Sequence, residues 1–151
     1  MKFTTVDDLL TFAIGEEEKA AAFYTDLADQ MERPWMKKNF LTFAKEEMGH
    51  KAMLEEVRNG KQLAPVEGAI LDLKILETLK VSDVPPADMD YQQALIIAMK
   101  AEKEAFILYT SLAEVATDPN ARNILLRLAQ EEAKHKLRFE MEYDDYVLQE
   151  N

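Results

Sequence analysis

Displaced by 85 positions, the chain matches itself without a gap: Glu17 falls on Glu102, Tyr24 on Tyr109, Pro34 on Pro119, Glu47 on Glu132 and His50 on His135. Leu10/Leu95, Ala13/Ala98, Leu27/Leu112, Ala28/Ala113 and Ala44/Ala129 agree in the same register. Two amphipathic segments share Leu and Ala by composition alone. Shared Glu, Tyr, His and Pro in one register require more, and indicate a duplicated unit related by an approximate two-fold axis.

Each half predicts an antiparallel helical hairpin. The 151 residues hold only four glycines and five prolines, and Ala, Leu, Glu, Lys and Met dominate the rest, so long helices are expected. Helix A is predicted from about Thr5 to Met31, with Thr5 as cap and Asp8 in a first turn that favours negative charge. Helix B starts at Pro34, where the missing N–H costs nothing, and stops before Gly60. Helix C starts near Asp90, with Gln93 placed to complete a capping box, and runs to about Ala116. Helix D follows Asp118-Pro119 and runs to about Val147. Short turns join A to B and C to D. Between the hairpins lie Lys61 to Met89, in which Ala69 to Lys80 reads as a short amphipathic helix before the Pro85-Pro86 break. Such a connector crosses the end or side of a four-helix bundle, and also allows the hairpins to swap between subunits. One all-α domain spanning residues 1–151 is the expectation.

The seams of these helices carry polar residues where a core belongs. Helix A reads Leu10, Ala13, Glu17, Ala20, Tyr24, Leu27, Met31, and helix C repeats it as Leu95, Ala98, Glu102, Ala105, Tyr109, Leu112, Ala116. Helix B carries Glu47 and His50 between Phe43 and Leu54, and helix D carries Glu132 and His135 between Leu128 and Phe139. A buried, unpaired carboxylate costs several kcal/mol, roughly, and four facing one another cost more. The seams offer no Lys or Arg as partners. Two divalent cations would neutralise four carboxylates and take both imidazoles as ligands.

Spacing supports a metal centre. Glu47-Met48-Gly49-His50 and Glu132-Ala133-Lys134-His135 are both Glu-x-x-His, and residues three apart share one helix face with roughly 5–6 Å between Cβ atoms. A Glu from each of two helices plus Glu-x-x-His from each of the other two is the ligand pattern of di-iron and di-manganese carboxylate bundles. A lone Glu-x-x-His recurs by chance. Here there are two, each follows a seam Glu by 30 residues, and their histidines are the only two in the chain. Glu46 and Glu131 precede the ligand glutamates and are expected to face solvent or a helix boundary. Tyr24 and Tyr109, two turns beyond Glu17 and Glu102, either donate a hydrogen bond to a ligand carboxylate from the facing helix or are core tyrosines with the hydroxyl at the edge.

Composition narrows the functional classes. A formal net charge of −11 and the lack of a basic patch argue against nucleic acid. With no cysteine, disulfides, thiol catalysis, thiolate-ligated zinc and iron–sulfur clusters within these residues are excluded. No apolar run is long enough to span a membrane and no secretory signal is apparent, so a cytoplasmic location is the default expectation.

Gly15-Glu16-Glu17 through Tyr24, Glu47 to His50, Met99 through Glu102 to Tyr109, Glu131 to His135 and Leu137-Arg138-Phe139-Glu140 together resemble the rubrerythrin-like branch of the ferritin-like superfamily. The resemblance covers nearly the whole chain. It implies a ferritin-like four-helix bundle with a long crossover between B and C, a non-haem di-iron site and oxidoreductase activity, most often peroxide reduction. It further implies that Glu47 and Glu132 bridge the ions, with Glu17 and His50 terminal on one side and Glu102 and His135 on the other. A homodimer is a family-level expectation. Two departures stand out. Typical rubrerythrins carry a cysteine-ligated rubredoxin domain, which these residues cannot form, so a separate electron donor such as a rubredoxin is implied. They also carry a further Glu one turn after the helix C Glu, where this chain has Ala105. The oxidant implied is hydrogen peroxide or dioxygen. Iron storage, a di-manganese catalase-like enzyme and a purely structural helical module are the alternatives, and the ligand set accepts Fe, Mn, Zn or Co.

Overall fold

A computed structural model describes residues 3–60 and 85–150. They form four helices, α1 (Val6–Gln30), α2 (Pro34–Arg58), α3 (Tyr91–Val115) and α4 (Pro119–Glu150). The amphipathic segment expected at 69–80 lies outside the described residues.

The helix ends follow from local chemistry. Thr5 Oγ1 accepts from the Asp8 amide at 3.1 Å, satisfying one of the orphan donors of the first turn. Asp90 and Gln93 form a reciprocal capping box, with Gln93 N to Asp90 Oδ1 at 2.8 Å and Asp90 N to Gln93 Oε1 at 3.0 Å. Asp118 Oδ2 accepts from Ala121 N at 2.9 Å, and Pro34 opens α2 without a side-chain cap. Gly60, at φ 105°, takes the left-handed turn beyond the end of α2, where a Cβ would be strained.

α1 packs closely on α2 and α3 on α4, and the two hairpins meet along α2–α4 and, less extensively, along α1–α3. This is the ferritin-like bundle with an approximate two-fold axis between hairpins. At one end Gln30 ties the hairpins together: its Nε2 donates to Pro86 O at 2.9 Å, while its Oε1 accepts from Met89 N at 2.9 Å.

Two apolar layers fill the interior. One contains Phe23, Tyr24, Phe40, Phe43, Tyr91, Leu95 and Phe139. The other contains Leu9, Leu10, Leu54, Leu112, Ile124, Leu125 and Leu128. The halves share their helical layout and candidate ligands, but not all of their core side chains. Phe40 and Phe43 match Leu125 and Leu128 in the repeat, and Phe139 matches Leu54, so these three core positions are aromatic at one end and aliphatic at the other. The rings of Phe43 and Phe139 stack at 4.0 Å between centroids. Between the layers the apolar packing is interrupted by six polar side chains. Among the described residues, no helix is long and apolar enough to cross a membrane.

Candidate metal centre

The structure brings Glu17, Glu47, His50, Glu102, Glu132 and His135 to one place. Each is buried, from 0% exposed at Glu47 to 7% at His50. Each helix contributes at mid-length, because one side chain in the apolar stripe of every helix must meet the bundle axis. Glu47 with His50, and Glu132 with His135, project together because they are one helical step of three apart.

The ligand atoms form two overlapping four-residue groups, and Glu47, His50 and His135 form a smaller third. Glu17, Glu47, His50 and Glu132 offer donor atoms all within 4.8 Å of one another, and so do Glu47, Glu102, Glu132 and His135. Glu47 and Glu132 belong to both. His50 Nδ1 lies 3.5 Å from Glu17, 3.3 Å from Glu47 and 3.1 Å from Glu132. His135 Nδ1 lies 3.2 Å from Glu47, 3.5 Å from Glu102 and 3.8 Å from Glu132.

These contacts are close but are not aligned hydrogen bonds. Glu17 Oε2, both carboxylate oxygens of Glu47, Glu102 Oε2, Glu132 Oε1 and the two Nδ1 atoms are buried without a hydrogen-bond partner. Orphaned buried polar atoms are rare in proteins and need a cause. Here they converge from six residues on one volume, and carboxylate oxygen plus imidazole nitrogen is the donor set of iron, manganese, zinc or cobalt. The residues fit a pair of divalent cations.

Without cations, protons must compensate the charge. Burial and then Glu47 raise the Glu17 carboxyl from 4.5 to about 7. Burial, Glu102, Glu47 and Glu17 hold Glu132 well above its usual value, and burial with Glu47 raises Glu102. Burial opposes charge on the histidines, yet the surrounding carboxylates win. Glu17 and Glu47 lift His50 from 6.5 to about 10, and Glu102 and Glu47 lift His135 to about 11. Burial alone would raise Glu47 as well, but the two histidines lower it to about 2. Protons thus stand where the cations would.

Both tyrosine hydroxyls reach the carboxylate layer. Tyr109 Oη donates to Glu17 Oε1 at 2.7 Å, and Tyr24 Oη donates to Glu102 Oε1. Each comes from the opposite hairpin, so the two bonds cross the α1–α3 contact as a symmetric pair. Both hydroxyls are pushed well above the ordinary phenol value, by burial first and by the carboxylates second. They remain protonated donors.

Two features were not expected from the sequence. Glu46, expected to face solvent or a helix boundary, is 38% exposed but reaches His135 Nε2 at 3.3 Å, and Arg138 Nη1 donates to the same oxygen at 2.8 Å. α4 crosses α2 at a point that sequence periodicity does not fix, so neither residue carried a signal. Glu131, its counterpart, pairs instead with Lys134 at 3.7 Å on the helix surface. Lys136, beside His135, is only 1% exposed, with its ammonium 3.0 Å from Glu140 one turn on. A Lys and a Glu four residues apart are ordinary on a charged helix, so nothing in the sequence marked this pair as buried.

The family model for rubrerythrin matches residues 8–143. Among solved structures, the protein is similar to a hypothetical protein, Pfu-1136390-001, from Pyrococcus furiosus, at 28% identity and a TM-score of 0.62, with 93% of this chain and 89% of that one covered. No functionally curated protein matches. The match over nearly all of both hairpins, together with the buried carboxylate–imidazole layer that those hairpins enclose, makes this chain a member of the rubrerythrin family.

Proposed function

We propose that the protein is a di-iron oxidoreductase that reduces hydrogen peroxide to water with electrons from an external donor, such as a rubredoxin-type protein. The observation that carries this reading is the set of orphaned ligand atoms, arranged as two four-residue groups that share Glu47 and Glu132. In this reading Glu17 and His50 would hold one ion and Glu102 and His135 the other, with Glu47 and Glu132 serving both. When bound, a ferrous pair supplies two electrons, one from each ion, and orients the peroxide O–O bond.

The protein's own contributions are electrostatic and positional. Four carboxylates balance two divalent charges and favour the oxidised pair. Burial of the layer excludes water and strengthens every charge interaction within it. Tyr24 and Tyr109 hold the terminal carboxylates of the opposite hairpin in place, and their raised pKa values suit them to donate hydrogen bonds rather than protons. Reduction of one peroxide to two waters consumes two electrons and two protons. The electrons must come from outside, since these residues include no cysteine for an iron–sulfur or rubredoxin-type relay.

Stopped-flow oxidation of the reduced, iron-loaded protein tests the proposal. Peroxide should oxidise it faster than dioxygen does at equal concentration. Equal or slower oxidation by peroxide overturns the assignment. Peroxide loss without any reductant would instead mark a catalase.

A further inference from the structure

The two ends of the ligand layer are related by the internal repeat, yet their outer surroundings differ. His135 Nδ1 points into the layer, with Glu47, Glu102 and Glu132 within 3.8 Å, while its Nε2 sits 3.3 Å from Glu46 Oε1 on the outside. Glu46 is itself held by Arg138 at 2.8 Å. The Arg138 guanidinium lies over the Phe43 ring, 4.2 Å from its centroid, and the same Phe43 meets the His135 ring edge-on at 5.0 Å. Phe43 and Glu46 thus enclose one imidazole, and Arg138 braces both of them. At the other end the repeat replaces two of the three parts: Phe43 becomes Leu128 and Arg138 becomes Met53, while Glu46 is matched by Glu131. Glu131 turns to Lys134 of its own helix. Among the described residues, His50 has no such enclosure.

We infer that Glu46 and Arg138 are positioning residues for His135, and that they make the two ion sites unequal, the one at Glu102 and His135 holding its ion longer than the one at Glu17 and His50. The physics is that of a carboxylate behind a metal-bound imidazole. Glu46 accepts the Nε2–H, which fixes the tautomer with the Nδ1 lone pair directed inward, and it locks the ring plane and raises the basicity of Nδ1. Arg138 keeps the carboxylate there. Both side chains are partly exposed, 38% and 45%, so an ion pair of this kind adds little to folding. Its contact with the outer nitrogen of a candidate ligand is what gives it a function. The inference rests on the reading of the six residues as a two-ion centre, and not on the peroxide chemistry.

The test uses the intact chain loaded with Co²⁺, whose visible absorption reports the occupied sites, followed during transfer of the ion to excess chelator. The wild type should release cobalt in two phases. His135→Ala should abolish the slow phase and His50→Ala the fast one. Glu46→Ala and Arg138→Met should each accelerate the slow phase alone, by about 10–100-fold. Arg138→Lys should recover part of that loss, Glu131→Ala should leave both phases as they are, and the melting temperature of metal-free Glu46→Ala should match the wild type. The positioning role is overturned if the slow phase survives Glu46→Ala unchanged, if Glu131→Ala accelerates it equally, or if it belongs to His50. A wild-type chain that takes up no cobalt would remove the two-ion centre itself, and the positioning role with it.

Discussion

Glu132 sits among three other carboxylates, and burial together with Glu102, Glu47 and Glu17 keeps its proton on at pH values where a free carboxyl has lost it. The same bias runs through most of the layer, and it sets how the metal-free protein responds to pH. A group whose pKa is raised on folding contributes stability that is present below its unfolded pKa and is lost as pH climbs through the folded one. For Glu17 that window runs from 4.5 to about 7, for His50 from 6.5 to about 10 and for His135 from 6.5 to about 11. Glu47 runs the other way, and its contribution is lost only as pH falls from 4.5 towards about 2. The metal-free protein should therefore melt at progressively lower temperature between about pH 5 and about pH 9. The metal-loaded protein should not, because ions displace protons and bind more tightly as pH rises. Thermal melts of both forms across that range would contradict the account if the metal-free form gained stability. Tyr109→Phe supplies a second check. It strips a 2.7 Å hydrogen bond from a buried oxygen of Glu17, and denaturant unfolding of the metal-free variant should show a loss of about 1–3 kcal/mol. The six candidate ligands were legible in the sequence because register alone puts charged residues into an apolar stripe. The reach of Glu46 to His135 was not, since it spans 89 positions and depends on how α4 lies against α2.

At the scale of the helix, the ends are set by residues adjacent in sequence, and there the sequence is informative. Thr5, Asp90 with Gln93, and Asp118 each cap the helix they precede. Asp90→Ala should cost about 1 kcal/mol, typically, as lost caps do, measurable as a lower denaturant midpoint with an unchanged slope. The Gln30 contacts to Pro86 and Met89 bridge 56 and 59 positions. Nothing in the pattern of residues around Gln30 marks it for that task, because a polar residue at a helix C-terminus is ordinary. Its task is set by the docking of the segment before α3 against the end of α1, which is a tertiary contact between distant residues.

For the molecule as a whole, the 85-residue repeat foretold the paired hairpins, and the buried charge foretold what lies between them. The repeat did not foretell that packing would differ above and below the ligand layer. Aromatic Phe40, Phe43 and Phe139 fill one end, where Leu125, Leu128 and Leu54 fill the other. Both choices conserve an apolar stripe, so the pattern is silent between them, yet they give each end its own shape. Phe139→Ala should destabilise the fold by about 3–5 kcal/mol, as aromatic truncations in cores do, and calorimetry of the metal-free chain would register it. Ions bound only to the folded state would oppose that loss, by about 2.7 kcal/mol at a free concentration 100 times the dissociation constant.

The most direct measurement is an anaerobic titration of the metal-free protein with ferrous ion, counting bound iron per chain and protons released. Both imidazoles carry protons below about pH 10 in the empty layer. A two-ion centre should therefore take up two irons per chain at neutral pH, expel at least two protons as they bind, and lose both irons in Glu47→Ala, since that carboxylate belongs to both four-residue groups. Iron uptake that is absent, that releases no protons, or that survives Glu47→Ala intact would contradict it.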